Sequence, residues 1–170
     1  CPSWPQVLCP APGCYPLAAT PRATERVLHV ANFPGKVGQL YLDTVASEYR
    51  MVYWPGKARR TVVEMACFVA REVRPTLVFI QVQGPGVVEP CDIEALRAVC
   101  DPSCVIVNWD GDQHYEPRSP ERRWFVALGA VCDASLVVNT EHPDVYAELG
   151  VRHPGFFEIA ADPEIFRPVA

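Results

Sequence analysis

Lysine is almost missing from this chain: Lys36 and Lys57 are the only two, and every other cation is an arginine. Twenty acids outnumber fifteen basic residues, and the net charge is −5. That balance excludes nucleic acid held through its phosphates, which needs a basic face. No apolar run approaches the ~18 uninterrupted residues of a membrane helix, so no membrane span is expected. No C-x-x-C occurs among the eight cysteines. The nearest spacings, Cys9 to Cys14 and Cys100 to Cys104, lack a companion His/Cys pair for zinc. Cys67, Cys100 and Cys132 fall in helical patterns, where cysteine behaves as a small buried hydrophobe. Reduced thiols in a cytoplasmic protein are therefore expected rather than a disulfide framework. The first glycine loop has Gly35 and Gly38 but no G-x-G-x-x-G. "YWPGK" after the second apolar run lacks a ribose-binding acid, so the dinucleotide fingerprint is absent. Lys36 is followed by Val37, which rules out a P-loop.

What remains is ordinary globular material, 49% hydrophobic and 21% charged over 170 residues, enough for one domain with a real core. Residues 1–25 read as an irregular leader rich in proline and cysteine, with no signal-peptide pattern. From Arg26 the pattern becomes regular. "RVLHVANF" reads as a strand ending in Pro34-Gly35, and "KVGQLYLDTVASEYR" as a helix with Val37, Leu40, Tyr41 and Val45 on one stripe. "MVYW" is the second strand. "TVVEMACFVAREV" opens with Thr61 and Glu64 in capping-box spacing and ends before Pro75. "TLVFIQVQ" is the third strand, and Asp92 is expected to cap a helix carrying Ile93, Leu96 and Val99. "CVIVNW" is the fourth strand. Ser119-Pro120 then supplies a cap and an N1 proline for "ERRWFVALGAVC". "SLVVNT", a helix "PDVYAELG" ended by Gly150, and "GFFEIA" complete the series. Strands that are nearly continuously apolar and alternate with helices predict an α/β fold, a Rossmann-like parallel sheet with helices on both faces.

Ligands of such sheets bind outside the carboxyl ends of the strands. The candidates are therefore Asn32, Gly35 and Lys36, then Gln81 and Gln83, then Asn108, Trp109, Asp110, Gly111 and Asp112, and finally Glu141 and His142. Asp110-Gly111-Asp112 fits a D-x-D metal site, a catalytic base or a polar turn, because glycine supplies a positive φ and aspartate caps nearby amides. His114 and His142 are either bases or solvated loop residues. Trp54 and Trp109 suit either stacking on a sugar or a place at the rim of the core.

"TLVFIQVQGPGVV", "VIVNWDGDQ", "RRWFVALGAVCDASLVVN" and "ELGV…FFEIAADPEIFRP" resemble, in order, the N-terminal half of GT-B glycosyltransferases. The likeness is greatest to the CgeB-like (spore-maturation) group and related family 1/4-type enzymes, over roughly residues 26 to 168. The W-x-G-D after the fourth strand and the "ADPEIFRP" ending carry it most specifically. The resemblance implies a leader (1–25), an acceptor-side domain (26–162) and the start of an interdomain linker (163–170), with the C-terminal donor domain absent. It implies sugar transfer from a nucleotide-sugar co-substrate to an unidentified acceptor, with no tightly bound cofactor and no metal, and little activity in this isolated half. Asp112 then becomes the base that deprotonates the acceptor, with Glu141 or His142 next in line. Asn32, Gly35, Lys36, Gln81, Gln83, Asn108, Trp109, Asp110 and Gly111 become substrate contacts. Another Rossmann-like nucleotide- or sugar-nucleotide-binding enzyme, such as an epimerase, and a non-catalytic interaction domain are the alternatives.

Overall fold

A computed structural model of the chain describes residues 25–31, 46–53, 59–81, 84–111, 116–138 and 143–157. The apolar runs become six strands: β1 (Arg26–Ala31), β2 (Glu48–Tyr53), β3 (Leu77–Gln81), β4 (Val105–Asp110), β5 (Ala134–Val137) and β6 (Pro154–Phe156). All pair in parallel, in the order β2-β1-β3-β4-β5-β6. The helices are α1 (Arg59–Val73), α2 (Pro90–Arg97), α3 (Arg123–Gly129) and α4 (Pro143–Glu148), with a 3-10 turn at Pro120–Arg122 before α3. This is the expected Rossmann-like α/β sheet. The chain reverses direction between β1 and β3, because β2 lies to one side of β1 and every later strand to the other.

Alternation along parallel strands assigns the faces. Leu28, Val30, Val78, Ile80 and Ile106 share one face and form the main core with Val62, Ala66 and Ala70 of α1, Ile93 and Leu96 of α2, and Leu128 of α3. Phe125, Val137, Tyr146 and Val151 close a second cluster under α3 and α4. The opposite face carries Val27, His29 and Phe79, all buried, with Trp109 half-buried.

Local chemistry explains the element boundaries and corrects several expected ones. α1 starts at Arg59, so Thr61 lies inside the helix rather than at its cap, and Glu64 pairs with Arg60 at 2.8 Å. It stops at Val73 because Pro75 follows. Arg74 turns to φ 49°, and the Arg26 guanidinium donates to the Val73 and Arg74 carbonyls at 3.0 and 2.7 Å. The cap of α2 is Glu89, not Asp92. Pro90 occupies the first turn, and Asp92 reaches back to accept the Glu89 N–H at 2.8 Å. Strand β2 begins at Glu48, so residues 48–50, expected at the end of a helix, are extended. Cys100 and Cys132 fall just past α2 and α3 rather than inside them. Among the described residues, no helix is long and apolar enough to cross a membrane.

Candidate functional site

The crevice of a doubly wound sheet opens where strand order reverses, here between the carboxyl ends of β1 and β3. β3 delivers Gln81 to that edge, and β4 delivers Asn108, Trp109, Asp110 and then Gly111. These are the expected substrate contacts that the described residues include, and the sheet brings them to one edge. Asn32, Gly35, Lys36, Gln83, Asp112, Glu141 and His142 lie outside the described residues, as do Trp54 and His114.

Period-two alternation splits β4 by face. Ile106, Asn108 and Asp110 turn toward the helices, and Trp109 turns away. Asp110 therefore lies on the helix-covered face and is buried. Its carboxylate accepts a hydrogen bond from Arg122, and both side chains are buried. The 3-10 turn places Arg122: Ser119 caps it in extended conformation, and Pro120 stands at its first position. Arg122 Nε–H also donates to the Tyr146 hydroxyl at 3.1 Å. The guanidinium lies 4.6, 5.4 and 5.8 Å from the ring centroids of Phe125, Trp124 and Tyr146. Paired, hydrogen-bonded and boxed by aromatic faces, the two charges satisfy the conditions under which burial is tolerated. Asp110 thus anchors the end of β4 and fixes where Gly111 leaves the strand.

Asn108 is the unusual residue at this edge. It is 1% exposed, and among the described residues neither its amide oxygen nor its amide nitrogen has a hydrogen-bond partner. Ser135, its register partner on β5, is fully buried, and among the described residues neither its hydroxyl nor the Trp109 indole N–H has a partner. Each such group costs roughly 1–3 kcal/mol in a folded protein. Groups of this kind persist at sites where something else completes them.

On the other face, aromatic rings run across the sheet. Tyr49, His29, Phe79, Trp109 and Phe157 follow one another at centroid separations of 6.0, 5.6, 5.9 and 6.0 Å. His29 sits in the middle of this row. Its Nε2–H donates to Gln81 Oε1 at 3.1 Å, and its Nδ1 accepts the Tyr49 hydroxyl at 2.7 Å. A carboxamide oxygen can only accept, which fixes this tautomer. Burial pushes the imidazole down to about 4, with the Gln81 hydrogen bond opposing part of that shift. The neutral ring therefore ties β2, β1 and β3 together and holds the Gln81 carboxamide at the crevice.

A hollow of about 370 Å³ bordered by Arg60, Val63, Glu64 and Asp92 opens between the first turns of α1 and α2, on the same edge of the sheet. The cavity inside the core, lined by Val30, Ile80, Ile93 and Leu96 among others, is about 20 Å³, room for one water. Among the described residues, no group of three or more His, Cys, Asp or Glu side chains is placed to hold a metal ion.

His29, Tyr49, Arg122, Ser135 and Tyr146 did not emerge from the sequence. The signal available for His29 and Ser135 was a single polar residue interrupting an apolar strand, as in "RVLHVA" and "ASLVV". Arg122 and Tyr146 gave none, since their roles depend on a contact with Asp110 across 12 residues and with each other across 24. No protein-family model matches the chain, and no curated protein is detectably similar to it.

Proposed function

We propose that this chain is the acceptor-side half of a GT-B-type glycosyltransferase. It works with a C-terminal domain that binds the nucleotide-sugar, in the cytoplasm and without a tightly bound cofactor or metal. One observation carries the reading: Asn108, near the carboxyl end of β4, holds a buried carboxamide with no hydrogen-bond partner among the described residues. A polyhydroxylated acceptor can both donate and accept, as a carboxamide requires. The W-x-G-D resemblance and the parallel α/β sheet support the same assignment.

In this reading the Asp112 carboxylate takes the proton of an acceptor hydroxyl while that oxygen bonds to the anomeric carbon. The bond from that carbon to the nucleoside diphosphate breaks, and the leaving group departs with the electron pair. Glu141 and His142 are the next candidates for the base. Asp110 is buried and hydrogen-bonded to Arg122, which favours a metal-free mechanism over a D-x-D site.

The test uses the chain joined to whatever its gene encodes beyond Ala170, incubated with a panel of nucleotide-sugars. Nucleoside diphosphate should be released in the presence of the acceptor and after chelation alike. Asp112→Asn should slow turnover by about 100-fold or more, the usual size of a lost general base. No release from any donor would sink the assignment.

The strand order favours a second reading. The run 2-1-3-4-5 is also that of flavodoxin-like domains, which hold a mononucleotide in the crevice between the first and third strands. Calorimetric titration of this chain with nucleoside phosphates separates the two, because an acceptor-side half has little affinity for them.

A further inference from the structure

Helix α1 turns its apolar stripe of Val62, Ala66, Ala70 and Val73 inward, and all four are buried. Phe68 is two residues from both Ala66 and Ala70, which puts it about 200° around the helix, opposite that stripe. Its ring is 58% exposed, and Met65, three residues earlier, is 49% exposed. The outer side of an amphipathic surface helix ordinarily carries charged or polar residues. Here two large apolar side chains stand together on it, with Arg60 and Glu64 exposed before them and Arg71 and Glu72 exposed after them. An aromatic centre inside a charged rim is the anatomy of an interface.

We propose that the outer face of α1 is a dimer interface, and that it is occupied by the same face of a second copy of this chain. The signs of the rim identify that occupant. Glu64 and Arg71 are two helical turns apart and therefore lie on one side of the outer face. Each is about 5 Å along the axis from the level midway between Cys67 and Phe68. A two-fold axis at that level, running across the outer face at right angles to the helix, lays α1 of the second copy antiparallel on the first. Each Glu64 then faces Arg71 of the other copy, and the two Phe68 rings meet on the seam. A contact between identical faces requires this kind of self-complementarity.

Glu64 pairs with Arg60 at 2.8 Å within one chain, but both side chains are largely exposed, so that pair rearranges at little cost. The hollow bordered by Arg60, Val63, Glu64 and Asp92 opens beside the same carboxylate. Its two acids against one arginine suit an incoming guanidinium. Antiparallel packing also sets the positive end of each helix dipole against the negative end of the other. A single helix pair is at the low end of interface size, so dimer and monomer exchange and concentration sets their ratio.

Sedimentation equilibrium of the 170-residue chain in reducing buffer tests this. The average mass should climb from one chain toward two as concentration rises. Phe68→Asp should raise the dissociation constant by about 30-fold or more, the effect of losing a central anchor. Glu64→Arg and Arg71→Glu should each stay monomeric over the same range, because each places like charges opposite one another. An equimolar mixture of those two variants should dimerise again, since opposite charges then meet at both ends of the seam. A monomer at every concentration, a dimer indifferent to Phe68→Asp, or a mixture that stays monomeric would overturn the proposal. If another segment of the same chain covers Phe68 instead, the first of these is the result.

Discussion

The Arg122 guanidinium donates to the Asp110 carboxylate beneath α3, with 2% of the arginine and 1% of the aspartate exposed. Removing one member leaves the other charge buried and uncompensated, which costs about 3–5 kcal/mol. Arg122→Met and Asp110→Leu should each lower the unfolding temperature by roughly 10 °C in a chain of this length. The double variant should recover most of that loss, because it removes both desolvated charges. Thermal unfolding of the four proteins checks this. Additive losses in the double variant would show that the two groups are not energetically coupled.

His29 supplies a pH dependence whose sign follows from its burial. Its folded value is near 4 against 6.5 for an ordinary histidine. Between these two values the unfolded chain binds the proton and the folded chain resists it. Stability is therefore complete above about pH 6.5 and falls as the pH drops toward 4, by up to ~3 kcal/mol. His29→Phe removes this proton linkage, although it costs stability throughout by removing the hydrogen bonds of the ring to Tyr49 and Gln81. Urea midpoints across that window should show a steeper slope for the native protein than for the variant. Parallel slopes would mean that His29 titrates normally in the fold.

Asn108 sets stability against function. Replacing a buried amide that has no partner among the described residues by an apolar residue of similar size removes an unsatisfied group worth roughly 1–3 kcal/mol. Asn108→Leu should raise the unfolding midpoint and, under the proposed function, lower acceptor affinity or turnover. A variant that is destabilised and still active would show that the amide serves the core.

Much of this organisation was legible in the sequence, for identifiable reasons. Apolar strands such as "TLVFIQ" and "VIVNW" alternate with helical stripes, and only a parallel sheet covers both of their faces. Strand order was not legible, since it depends on long-range pairing that no local pattern encodes. Glu48 and Arg50 read as the end of a helix because the stripe of Val37, Leu40, Tyr41 and Val45 runs straight up to them. They sit on the same side of the edge strand β2 and pair with each other at 3.1 Å, which makes extended backbone tolerable there. The orientation of Asp110 was half legible: it is four residues past Ile106, so it must share Ile106's buried face. The arginine that makes this burial possible reaches it through a 3-10 turn, and nothing in the spacing announced that contact.

Gly129 ends α3 against the segment that follows α4. A methyl group there would come within 2.6 and 2.9 Å of the two Val151 γ-carbons and 3.0 Å of the Ser135 hydroxyl. Valine has little rotameric freedom with which to retreat. Gly129→Ala gains up to ~1 kcal/mol in helix propensity, but forcing a methyl into a packed core costs about 1–3 kcal/mol. The steric term wins, and the variant should be less stable than the native protein. Val151→Ala opens the space that the new methyl needs, so Gly129→Ala should be neutral or favourable in that background. Denaturant midpoints for the two single variants and the double variant decide it. Equal cost of Gly129→Ala in both backgrounds would mean that backbone geometry at residue 129, rather than the contact with Val151, requires the glycine.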